Sequence, residues 1–117
     1  VMLAGAALLA AGTLLGALAG VPALGWLLPL WALLGFGNGL VLTPTGRLLR
    51  AAAPPGEGPG LFAAQFALSH ACWLLTYPLA GWLGAAHGTG AAFAVLGLLA
   101  AAGLALGAVV WPRIRAS

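Results

Sequence analysis

Charge in this chain is confined to two short places, and four long apolar stretches fill nearly everything else. The stretches cover residues 2–20, 26–46, 61–84 and 91–111. Arg47, Arg50 and Glu57 follow the second stretch, and Arg113 and Arg115 follow the fourth. An uncharged apolar segment of about 20 residues, rising about 1.5 Å per residue as a helix, spans the hydrocarbon core of a bilayer. The order of residues therefore predicts an all-α, polytopic transmembrane helix bundle with four spans. Composition argues against a soluble domain: 4% of residues are charged, against about 25% where a surface must face water. The formal charge of +3 comes from arginines flanking apolar stretches and forms no basic stripe, so the expected partner is the lipid bilayer and no nucleic acid.

Orientation follows from the loops. Helical hairpins alternate in direction, so the ends of the second and fourth spans lie on one side, and all four arginines are there. The connectors 21–25 and 85–90 hold no Lys or Arg. The excess of positive charge in cytoplasmic loops places the loop 47–60 and the tail 112–117 in the cytoplasm, within the plasma (inner) membrane. Trp26, Trp82 and Trp111 fall near span ends, where amphipathic rings sit at headgroup level. Val21-Pro22 and residues 85–90 are expected to turn tightly, and Pro54-Pro55-Gly56-Glu57-Gly58-Pro59-Gly60 reads as a non-helical loop. Pro29, Pro44 and Pro78 lie inside spans, with Pro44 and Pro78 the expected helix bends. Thr43 and Thr45 flank Pro44 and can bond the carbonyl it frees.

The spans divide by polarity. Thr13 is the sole polar side chain of the first and fourth, apart from their ends; small residues at helical spacing, Gly12, Gly16 and Gly20 in one and Gly103 and Gly107 in the other, suit close packing. These two read as peripheral and structural. On the third span Gln65, Ser69, Cys72 and Thr76 fall in a narrow arc at about 100° per residue, beside a stripe of Phe66, His70, Trp73 and Tyr77. On the second, Asn38 and Thr45 share a face with Gly35, Gly39 and Gly46 beside it. Unsatisfied polar groups are costly in hydrocarbon, so a solute pathway between these two spans is the simplest reading. Its candidates are Asn38, Gln65, Ser69, His70, Trp73 and Tyr77. Each has a plainer explanation too: Ser and Thr hydroxyls often bond their own helix carbonyls, Asn38 or Gln65 can bridge helices, and Cys72 can simply pack. His70 stands out as the one titratable group near the middle of a span, whereas His87 belongs to a short outer connector.

Catalysis finds no support. Gly35-Phe36-Gly37-Asn38-Gly39 follows no strand and lies within a span, so it does not read as a phosphate cradle. His70 and Cys72 are about 200° apart on one helix and form no dyad. Glu57 is the only acid, Cys72 the only cysteine, and no metal-ligand set or cofactor is expected.

The glycine-rich run 35–39, Thr43-Pro44 and the segment 60–84 together resemble the C-terminal end of a major facilitator superfamily transporter. Tyr77-Pro78-Leu79-Ala80-Gly81 resembles the Pro-x-x-Gly element of the eleventh helix in the family's exporters, and residues 47–60 resemble the link before it. The resemblance implies that the spans are helices nine to twelve of a half-domain, with the missing N-terminal helices of the same transporter as partner. It implies alternating access around a midplane site for a small-molecule substrate, as a secondary-active efflux permease, and no transport by these four helices alone. The family's acidic and basic loop motif is absent from this chain. Two other readings remain open: a small four-helix multidrug-type efflux protein acting as a dimer, whose expected glutamate in the first helix is missing, and a non-transporting membrane scaffold subunit.

Overall fold

A computed structural model of the chain describes residues 1–19 and 24–116. Among them are four α-helices and no strand: α1 (Met2–Leu18), α2 (Leu24–Ala52), α3 (Gly58–His87) and α4 (Thr89–Ala116). They form an elongated bundle of 50 × 25 × 24 Å. The all-α class is as expected, and two helices, Leu24–Ala52 and Thr89–Pro112, are long and apolar enough to cross a membrane. At 17 residues α1 is shorter, and polar residues dilute the apolar character of α3.

Three helices run further than expected. Helix α2 continues through Arg47 and Arg50 to Ala52, because arginine is a good helix former and its charge complements the negative C-terminal end. The loop 47–60 therefore shrinks to residues 53–57, where the Glu57 amide donates to the Pro54 carbonyl at 3.1 Å and Gly56 takes φ +85°. Gly58, Pro59 and Gly60 belong to the first turn of α3. Proline is tolerated there because the first amides of a helix have no intrahelical acceptor anyway. Residues 112–116, expected as a tail, continue α4 with Pro112 inside it. The expected turn over 85–90 reduces to Gly88, whose φ of +88° and ψ of 164° reverse the chain between α3 and α4. The expected turn at Val21-Pro22, and Gly20 with it, lie outside the described residues.

Packing centres on α1, which lies antiparallel to both α2 and α4. Glycine makes this possible. A Cβ on Gly12 would meet Leu34 Cδ2 at 2.9 Å, and one on Gly16 would meet the Phe93 ring at 2.8 Å and Leu30 Cδ2 at 3.3 Å. Leu14 fills the space over Gly97 in return. Gly12 and Gly16 thus pack as their spacing suggested. On α4 the close approach falls instead at Gly97; Gly103 meets nothing within 4 Å, and Gly107 only touches Leu3. The expectation that α1 is peripheral is corrected: in this four-helix array its glycines and Ala10 are buried. Helix α3 rests on α4, scarcely meets α2, and buries no residue.

Candidate functional site

Helix α3 carries five of the chain's ten Phe, Trp and Tyr residues and more uncharged polar side chains than any other helix. Leu61, Phe62, Gln65, Ser69, Thr76, Leu79, Ala80 and Leu83 are half-buried and cluster on one side, so Gln65, Ser69 and Thr76 of the polar stripe turn toward the rest of the bundle; His70, beside them, is half-buried too. Phe66, Trp73 and Tyr77 stand beside it, uncovered by any other helix of the chain.

The polar stripe is satisfied within its own helix. The Ser69 hydroxyl donates to the Gln65 carbonyl at 2.7 Å, and the Gln65 carboxamide donates to Ser69 Oγ at 3.1 Å. The Thr76 hydroxyl donates to the Cys72 carbonyl at 3.0 Å. Such bonds to the carbonyl four residues back let Ser and Thr sit in an apolar helix without an outside partner. Cys72 is exposed.

The aromatic stripe forms a continuous ladder. Phe66 and His70 rings lie 3.8 Å apart, His70 and Trp73 4.7 Å, and Trp73 and Tyr77 6.1 Å, all tilted rather than face to face. His70 Nδ1 is 2.8 Å from the Phe66 carbonyl oxygen. A carbonyl can only accept, so Nδ1 carries the proton and Nε2 of the neutral ring is left with its lone pair. The backbone thus anchors the imidazole, the flanking rings hold its plane, and Nε2 is the nitrogen through which it can accept a proton or a ligand's hydrogen bond.

Of the sequence candidates, the structure gathers Gln65 with Ser69, and His70 with Trp73 and Tyr77. Asn38 joins neither group: it is exposed on α2 and makes no side-chain hydrogen bond. Among the described residues α2 and α3 scarcely touch. Pro44 and Pro78 are both accommodated within continuous helices. The Thr45 hydroxyl donates at 2.8 Å to the Val41 carbonyl, one residue beyond the Leu40 carbonyl that Pro44 leaves without its amide. Sequence reading missed one contact: His87 is the last residue of α3, and its ring meets the edge of Trp82 at 5.6 Å. Their five-residue separation on a helix gave little sign of it. Among the described residues no three His, Cys, Asp or Glu side chains converge. No family model, curated protein or solved structure matches this chain.

Proposed function

We propose that this chain is the C-terminal four-helix part of a secondary transporter of the major facilitator type, with all four helices crossing the membrane and both arginine-bearing ends in the cytoplasm. Helix α3 borders the path of a small, amphipathic solute that the protein exports. The observation that carries this reading is the ladder Phe66–His70–Trp73–Tyr77, whose Phe66, Trp73 and Tyr77 rings stand uncovered next to a polar stripe on α3. Stacked aromatic faces offer dispersion and cation–π contact to an amphipathic solute, and a titratable ring inside a span is costly to keep without a use. The bilayer itself is supported by what is left outside the bundle. Leu18, Leu24, Leu74 and Leu75 are each at least 75% exposed, and among the described residues only Ala10 and Leu30 form a buried apolar core. Water would penalise that distribution, whereas lipid would not.

One observation favours a scaffold subunit instead: Gln65, Ser69 and Thr76 already find partners inside α3. Thiol accessibility separates the two. With Cys72 replaced by serine in the full gene product, single cysteines are placed along residues 66–77 in sealed vesicles. The transporter reading expects a charged, membrane-impermeant thiol reagent to modify positions 66, 69, 70, 73 and 77 and to spare 68, 74 and 75. Silence at every position favours the scaffold. Reactivity on all faces alike sinks the membrane reading itself.

A further inference from the structure

Two clefts lie against α2 at the arginine end of the bundle, and both converge on the same guanidinium. The larger, about 570 Å³, opens between α1, α2 and α4 and is walled by Ala6, Val41, Leu48, Leu104 and Trp111. The smaller, about 420 Å³, lies beside it on the adjoining face of α2, against Phe36, Leu40 and Thr43. Val1, Pro44 and Arg47 border both. Each volume falls within the roughly 300–1,000 Å³ typical of small-ligand sites. Their walls are mostly apolar, and Arg47 is the one charged side chain in either.

We propose that the pair of clefts binds one diacyl anionic phospholipid, with an acyl chain in each cleft and the phosphate on Arg47. Two apolar grooves meeting at one cation match two apolar chains meeting at one anion. A single-chain amphiphile would fill only one of them. Planar guanidinium pairs with phosphate in two parallel hydrogen bonds, and arginine next to the cytoplasmic leaflet faces its anionic lipids. Arg47 is exposed and makes no ion pair with Glu57, the only acid in the chain, so its charge is available. Arg50, nearly one turn further along, lines neither cleft and adds only general attraction. The inference rests on the bilayer placement proposed above and is independent of transport.

Lipids with brominated acyl chains quench tryptophan on contact, which makes the two grooves readable one at a time. The full gene product is reconstituted with tryptophan kept only at Trp111, only at position 36 (Phe36→Trp), or only at Trp31. Brominated phosphatidylglycerol is compared with brominated phosphatidylcholine in each. Both groove reporters are expected to reach half-quenching at about five-fold lower mole fraction of the anionic lipid, the change that one arginine near such a surface supplies. Arg47→Gln is expected to abolish that preference at both reporters, and Arg50→Gln to leave it. Trp31, 67% exposed on another face of α2, is expected to be quenched equally by both lipids. Equal quenching at the groove reporters, a preference that survives Arg47→Gln, or no quenching at either groove while Trp31 is quenched would overturn the lipid site. Absence of quenching at Trp31 as well would instead remove the bilayer placement.

Discussion

Gly5 and Gly37 face one another across the α1–α2 interface, each backbone set against the other's carbonyl oxygen. A Cβ on Gly5 would lie 2.7 Å from the Gly37 oxygen, and one on Gly37 would lie 3.1 Å from the Gly5 oxygen. Glycine is required here because the obstacle is main chain on both sides. A side-chain tip can rotate away; a carbonyl inside a helix cannot.

That distinction orders a series of alanine substitutions. Gly5→Ala is expected to destabilise by about 1–3 kcal/mol, the usual cost of overpacking. Gly12→Ala should cost less, since what it meets is the end of the Leu34 side chain. Gly35→Ala and Gly39→Ala point into open space and should be neutral or gain the roughly 0.5–1 kcal/mol that alanine offers in a helix. Thermal unfolding in detergent, followed by circular dichroism, measures the order. Equal midpoints for Gly5→Ala and Gly35→Ala would show that the two helices do not cross there.

Gly88 is tested by the same substitution for a different reason. Its φ of +88° with ψ of 164° lies in a region that only glycine enters without strain, costing of order 1–3 kcal/mol for other residues. Nothing within 4 Å crowds it, so Gly88→Ala isolates the backbone term. A lowered unfolding midpoint is expected, while Gly90→Ala, whose Cβ would find only an ordinary 3.8 Å contact with the Ala17 oxygen, should change little. An unchanged midpoint for Gly88→Ala would mean that α3 and α4 are joined by some other conformation.

The existence of the helices was legible from order and composition, because apolar runs of this length have few other folds open to them. Their ends were not. Arg47 and Arg50 look like the edge of a span, yet arginine continues a helix readily, and Pro59 looks like loop although proline fits the first turn. The stripes on α3 were equally legible, since a spacing near 3.6 residues fixes which side chains share a face. Which helix a face meets was not, because that depends on shape. Gly5, Gly37 and Gly97 decide it by admitting close approach, and they draw α1 into the centre while leaving α2 and α3 nearly apart.

Topology gives a count of crossings. Helices α2 and α4 both pack antiparallel to α1, so their C-terminal ends lie at one end of the bundle and Gly88 at the other. In sealed vesicles carrying Cys72→Ser, cysteines at Gly56 and Pro112 are expected to react with an impermeant thiol reagent from the same side, and a cysteine at Gly88 from the opposite side. Reactivity of all three from one side would mean that α3 and α4 do not cross as a hairpin.

His70 yields the sharpest spectroscopic test, since its ring is pinned by the backbone. With Nδ1–H donated to the Phe66 carbonyl, the neutral imidazole must hold the Nδ1–H tautomer, the less common of the two in free histidine. In ¹⁵N spectra of selectively labelled protein at high pH, Nδ1 should resonate as a protonated nitrogen and Nε2 as an unprotonated one; the reverse would mean that the bond to Phe66 is absent. For the proposed transporter the same geometry carries a functional test. Nε2 is the ring nitrogen left free to meet a solute, between the Phe66 and Trp73 rings. In the full gene product, His70→Ala and Trp73→Ala are each expected to impair transport while leaving insertion intact. If flux is unchanged in both variants, the ladder is packing alone, and the path of the solute lies elsewhere.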